Sequence, residues 1–254
     1  MQLWSMEKSE PVGTLTGHAA RLGKVRFHPS GQYLASSSFD KTWRLWDLQT
    51  QQCIQLQEGH AKEVYALSMH VDGSLVATGD LGGIGRLWDL RSGKSILVLP
   101  VRTTNARCCR HVCNPGSHPS DWQGHVKQLL TMDFSPDGFH LATGSDDHTV
   151  RIWDLRKRET VYTLPAHQSL ISTVKFAPVS GEYLTTSSFD GTIKTWSARD
   201  WTQLGEFSGH EGKISCIDVA WNERCVVSSS FDRTFKLWTS LDDAESDEDV
   251  AMAK

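Results

Sequence analysis

At 254 residues with a net charge of −4, the chain is long enough for one large β domain or two smaller domains. Six acidic residues (Asp242, Asp243, Glu245, Asp247, Glu248 and Asp249) crowd the C-terminal end, leaving a nearly neutral body that argues against broad electrostatic binding of nucleic acid. No apolar run approaches eighteen residues and no basic-then-apolar leader opens the chain, so neither a membrane span nor a secretory signal is expected.

Ten tryptophans are unusual at this length, and their positions explain them. Trp4, Trp46, Trp88, Trp153, Trp196 and Trp238 are spaced by 42, 42, 65, 43 and 42 residues. A second series, His18, His60, His125, His167 and His210, runs 42, 65, 42 and 43, so both series share one anomaly. A period of forty-odd residues marks a repeat architecture.

In chain order, residues 1–16 read as the remnant of a preceding unit, and 17–240 as five complete units. Each unit opens with an alternating apolar stretch: Val25/Phe27, Leu67/Met69, Met132/Phe134, Val174/Phe176 and Ile217/Val219, with mostly smaller or polar residues between. That period of two is a strand signal. Turn residues follow at HPSGQ, HVDGS, SPDGF and APVSGEY, then a second apolar stretch at Leu34, Val76, Leu141, Leu184 and Val226, then a tight turn into the Trp strand. Each unit is thus four short strands, and such a sheet buries both faces only by stacking radially on neighbours, which predicts an all-β propeller. The strand near Val12 to Leu15 is expected to complete the last unit, which lacks a fourth strand of its own and would otherwise expose an edge.

The 65-residue gap reduces to 42 if Val101–Gln123 is removed, so 101–123 is foreign to the repeat: a loop or a translated intron, the latter being excluded if every transcript carries it. Within it, Cys108, Cys109, His111, Cys113 and His118 are zinc-ligand types, but their spacing matches no ordinary zinc site. Cys53, Cys216 and Cys225 fall in strands and are expected as small core residues. Residues 241–254 are expected to be an acidic disordered tail, with Ser246 in a context suited to acidic-directed phosphorylation.

A GH dipeptide, about 28 residues, then WD resembles the WD40 family. That resemblance implies a hydrogen-bonded chain locking each blade: a His, a Ser or Thr of the second strand, a turn Asp and the Trp. The residues are His18, Asp40 and Trp46; His60 and Trp88; His125, Asp147 and Trp153; His167, Asp190 and Trp196; and His210, Asp232 and Trp238. Gly82 stands where the second repeat should have its Asp, so that blade is expected to be looser. Asp, His and Ser together also suggest a hydrolase triad, but five near-identical sets at structural spacing describe scaffolding. No enzyme, cofactor or metal is therefore expected. The family binds partners across the face that includes the residue before the turn Asp. Here that position is Phe39, Leu81, Asp146, Phe189 and Phe231, with the three Phe expected as exposed anchors alongside Leu81.

Phrases such as DLRKRETVYTLPAHQSLISTVKF and FDRTFKLW are similar to the WD-repeat subunits of the U4/U6 small nuclear ribonucleoprotein. This implies a nuclear, non-catalytic splicing scaffold that binds other U4/U6 proteins, touches U4/U6 snRNA indirectly or weakly, and takes no small-molecule substrate. Those subunits have seven repeats, so an N-terminally truncated, open or irregularly closed ring is expected. The alternatives are an adaptor of a ubiquitin-ligase or chromatin complex, or a nonfunctional fragment.

Overall fold

The computed structural model describes residues 1–7, 9–99 and 124–239. The 101–123 segment, with its cysteines and histidines, and the 241–254 tail with Ser246 lie outside the described residues.

Two short strands, β1 (Gln2–Trp4) and β2 (Pro11–Thr14), form a two-stranded sheet. Four complete blades follow. Blade 1 is β3 (Leu22–Phe27), β4 (Tyr33–Ser38), β5 (Trp43–Asp47) and β6 (Cys53–Gln57). Blade 2 is β7 (Val64–Met69), β8 (Leu75–Asp80), β9 (Gly85–Asp89) and β10 (Lys94–Leu99). Blade 3 is β11 (Leu129–Phe134), β12 (His140–Ser145), β13 (Val150–Asp154) and β14 (Glu159–Leu164). Blade 4 is β15 (Ile171–Phe176), β16 (Tyr183–Ser188), β17 (Thr192–Ser197) and β18 (Gln203–Ser208). Blade 5 has three strands, β19 (Ile214–Val219), β20 (Cys225–Ser230) and β21 (Phe235–Thr239).

All pairing is antiparallel between strands consecutive in sequence, as short turns require. The turn between first and second strands needs one left-handed residue. Glycine provides it at Gly31, Gly73, Gly138 and Gly181, where no side chain opposes a positive φ, and Glu223 adopts it at φ 59° in blade 5.

The core lies between blades. Ala35, Trp43 and Leu45 of blade 1 meet Leu67, Val76 and Trp88 of blade 2. Ala142, Val150 and Ile152 of blade 3 meet Val174, Phe176, Leu184 and Trp196 of blade 4. Period-two alternation sends one set of side chains to each neighbour, so a blade flanked on both sides buries both faces. The turns add cross-ties: His28 Nε2 lies 3.0 Å from the Gly73 carbonyl, and His70 Nε2 lies 3.0 Å from that of Gly138.

Two expectations are corrected. β2 pairs with β1, Trp4 facing Pro11 and Gln2 facing Thr14, and not with β21, so blade 5 has no fourth strand among the described residues. The hairpin seats instead on blade 1, where Leu3 and Leu15 cover Leu34 and Trp46. The cysteines all lie in strands, but only Cys53 packs against the core, half-buried beside Leu34 and Trp46; Cys225 is half-buried, and Cys216 is exposed on β19 of blade 5.

Candidate functional site

In every blade the loop carrying the repeat His and the turn carrying the Asp lie at the same end, and a backbone hydrogen bond joins them. The residue before the turn Asp donates its N–H to a carbonyl of the His loop: Phe39 to Arg21 at 3.0 Å, Asp146 to Gln128 at 3.0 Å, Phe189 to Leu170 at 3.1 Å and Phe231 to Lys213 at 2.9 Å. Leu81 makes the equivalent bond to Glu63 at 2.9 Å. Five side chains are thereby presented at matched positions on one rim.

Beneath the rim, each His joins three other side chains. In blade 1, His18 Nδ1 is 2.8 Å from Asp40 Oδ2 and its Nε2 is 2.8 Å from Ser36 Oγ, which accepts Trp46 Nε1–H at 2.8 Å. The same geometry recurs through Thr143 for His125, Asp147 and Trp153, through Thr186 for His167, Asp190 and Trp196, and through Ser228 for His210, Asp232 and Trp238. An indole N–H can only donate and a carboxylate only accept, so the hydroxyl hydrogen points to Nε2 and the Nδ1 hydrogen to the Asp. A hydrolase triad has that polarity too. Here, however, each hydroxyl is held by an indole and its residue is fully buried, so no substrate atom can approach it.

Blade 2 departs from expectation in an informative way. Gly82 has no carboxylate, yet His60 Nδ1 has one 3.0 Å away, supplied by Asp80 at the end of β8. Asp80 is completely buried, and its other oxygen accepts the N–H groups of Gly82 at 2.9 Å and Ile84 at 3.0 Å, holding the turn that the family Asp would hold. His60 Nε2, Thr78 Oγ1 and Trp88 Nε1 complete the chain at 2.7 Å and 2.7 Å. The blade is therefore not left without a lock. The turn passes through Gly83 at φ 89°, where a Cβ would come within 2.6 Å of the Lys127 carbonyl. A Ser occupies the Asp80 position in the other four blades, so TGD in place of TGS was the available signal.

Burial and hydrogen bonding set the charge states. Burial pushes His18, His125 and His167 below 6.5 against the pull of their aspartates, keeping the rings neutral. Burial alone would raise Asp40, but hydrogen bonds from Thr42, His18 and the backbone outweigh it and hold the carboxyl at about 2. Asp147 and Asp190 are also lowered, burial again being outweighed by their hydrogen bonds and by the adjacent His. For Asp232 the Thr234 hydroxyl leads the lowering.

The rim is less uniformly exposed than the sequence suggested. Only Phe231 stands clear, at 66% exposure, in edge contact with the half-buried Phe189 at 5.7 Å. Phe39 is half-buried beneath the Arg21 guanidinium at 3.8 Å and edges Tyr65 at 6.2 Å. Lys213 sits 5.3 Å over Phe189, Leu81 is half-buried, and blade 3 carries a Lys127–Asp146 ion pair at 3.5 Å instead of an aromatic. The cations over the rings were not foreseen. Nor was a polar cluster at the axis: Lys24 Nζ donates to Thr131 at 3.3 Å across from blade 1 to blade 3, and Asp133 accepts Phe176 N–H at 3.0 Å. Desolvation brings Lys24 down to about 8 and raises Asp133. Among the described residues no cluster of metal-ligand types is present, and no helix is long and apolar enough to cross a membrane.

Radially packed antiparallel blades, each tied internally by a chain of His, hydroxyl, Trp and Asp side chains, define a repeat propeller. The WD40 family (WD domain, G-beta repeat) matches residues 9–47, 51–89, 116–154, 158–197 and 201–239, which together exceed half of the chain, and the chain belongs to that family. It is similar to the human U5 small nuclear ribonucleoprotein 40 kDa protein, 43% identical over 61 residues, covering 22% of this chain and 17% of that protein. Protein Notchless of Drosophila melanogaster is 48% identical over 44 residues (17% of this chain, 9% of that protein). Ribosome biogenesis protein ERB1 of Debaryomyces hansenii is 51% identical over 41 residues (16% and 5%). These alignments span less than a fifth of each relative.

Proposed function

We propose that this chain is a non-catalytic protein-binding platform of a nuclear RNA-processing assembly. WD40 repeat proteins are in general non-catalytic scaffolds, and the observation that carries the reading is the rim, where Phe39, Leu81, Phe189 and Phe231 are anchored by equivalent backbone bonds. An aromatic edge flanked by Arg21 and Lys213 suits a partner segment with an apolar anchor beside acidic groups, because the cations already lie over the rings. The assembly we favour is the splicing particle: the similarity to a U5 protein supports a spliceosomal setting, and the resemblance to U4/U6 subunits suggests placement in the U4/U6·U5 particle beside other U4/U6 proteins.

Affinity capture of the tagged chain from nuclear extract tests this. Recovery of U4, U5 and U6 RNAs with their proteins, lost in Phe231→Ala, is the expected result. A second reading, a scaffold in ribosome assembly, is favoured by similarity to ERB1 and to a U3 snoRNP-associated protein-like chain of Arabidopsis thaliana, and recovery of U3 RNA without U4 or U6 would select it.

A further inference from the structure

At the end of the blades away from the rim, histidines tie the turns between first and second strands from one blade to the next. His28 of blade 1 lies with Nε2 3.0 Å from the Gly73 carbonyl of blade 2, and His70 of blade 2 stands in the same relation to the Gly138 carbonyl of blade 3. A carbonyl can only accept, so each ring nitrogen donates. His70 also meets Phe134 of blade 3 edge-on at 5.1 Å, and His28 meets Tyr33 of its own second strand in the same way at 5.6 Å. Blades 4 and 5 are joined by other means, Val179 and Ser180 both donating their N–H to Glu223 Oε1 at 2.7 Å. Between blades 3 and 4 the repeat places Ser135 where His28 and His70 stand, and no such tie forms there among the described residues.

In place of the ring there is a cavity of about 290 Å³ lined by Ser135, His140, Phe176, Gly181 and Trp201. Its walls repeat the surroundings of the two histidines: Gly181 is the counterpart of Gly73 and Gly138, Phe176 of Phe134, and His140 of Tyr33. A Cβ placed on Gly138 would come within 2.8 Å of His70 Nε2, whereas the nearest atom to the same point on Gly181 is Pro136 Cδ at 3.2 Å. The charged groups around the cavity are paired with one another, Asp137 with His140 at 2.9 Å and Glu182 with Arg199 at 2.9 Å. They leave no unmatched charge for an ion, or for the ammonium and carboxylate of a free amino acid, so the fitting ligand is a neutral donor ring flanked by peptide. We propose that this cavity binds a histidine side chain of a partner polypeptide, its Nε2–H donating to the Gly181 carbonyl and its ring edge-on to Phe176, as His70 is held between Gly138 and Phe134. The site lies at the opposite end of the blades from Phe231, so its failure would leave the reading of the rim unaffected.

Titration of the whole chain with the tripeptide Gly-His-Gly, followed by NMR at the Trp201 indole and the Gly181 amide, tests the proposal. Both signals should shift and saturate. The same peptide methylated at the histidine Nε2, which has no proton to give the Gly181 carbonyl, and free histidine should each shift them far less. Ser135→His supplies the ring from within, in a turn where Pro136 follows it as Pro29 follows His28. That variant should raise the urea midpoint by adding the third tie and should lose the response to the tripeptide. Ser135→Leu, which fills the space without a donor, should lose the response as well. No shift with Gly-His-Gly, an equal shift with the methylated peptide or with free histidine, a response that survives in either variant, or a Ser135→His midpoint no higher than wild type would each overturn it.

Discussion

Blades 3 and 5 are built from the same pattern, yet equivalent side chains meet opposite environments. Ile152 and Val150 of blade 3 are fully buried against blade 4, whereas Leu237 and Phe235 in the matching places on blade 5 face solvent. Their local structure is the same: β13 and β21 each pair with the preceding strand in the same register. The difference lies in the missing neighbours: β13 also pairs with β14 and faces blade 4, whereas β21 has neither an outer strand nor a following blade among the described residues. Strand formation here is a property of the repeat, and burial is a property of position in the stack.

The largest test of that contrast is a matched pair of truncations. Ile152→Ala should cost about 2–5 kcal/mol, because it removes packed methylenes and leaves a cavity. Leu237→Ala, at an exposed position, should stay within about 0.5 kcal/mol. Urea midpoints measured on both variants check the pair, and equal losses would mean that blade 5 is covered in solution.

A smaller effect tests the lock of blade 2. Asp80→Ser should cost about 1–3 kcal/mol by leaving His60 and the turn N–H groups without their acceptor. Adding Gly82→Asp to that variant recreates the arrangement of the other four blades and should recover much of the loss. No recovery would show that the route through Asp80 is specific to this turn.

Acid should act on the interior locks next. The neutral His18, His125 and His167 resist protons that the unfolded chain takes up near 6.5, so their contribution is complete above that pH and is lost as pH falls below it. Asp40, held at about 2, contributes fully above 3.8 and loses its share as pH falls from there toward 2. Both shifts have the same sign, so the urea midpoint should decline from near-neutral pH downward and more steeply below 4. A midpoint that rises on acidification would contradict the assigned protonation states.

The smallest effect on stability and the sharpest on binding should coincide at Phe231. Phe231→Ala should shift stability by no more than about 0.5 kcal/mol, while costing about 2 kcal/mol or more of partner affinity if the residue is a hot spot. A variant that unfolds instead would place Phe231 in the blade rather than at an interface.

Much of this was legible without coordinates. The recurrent Trp and His, the period-two strands and the glycines of the first turns specify four-stranded antiparallel units, because those signals act over a few residues and depend on no distant partner. The pairing of His18 with Asp40 and Trp46 came instead from the resemblance to the WD40 family, and the structure shows it within one blade. Asp80 escaped because a carboxylate two positions early reaches His60 only through the path of one particular turn. The partly covered state of Phe39 and Phe189 escaped because Arg21 and Lys213 reach those rings from a different loop.

What the sequence determined by itself was the blade, its strands and its turns, all products of short-range geometry and side-chain chemistry. Only the tertiary structure decided that β2 stays with β1, that the β21 edge is unpaired among the described residues, and that Lys24 crosses the axis to Thr131. Those outcomes depend on which surfaces meet across the stack, and a repeat gives every blade the same surfaces without saying which neighbour will cover them.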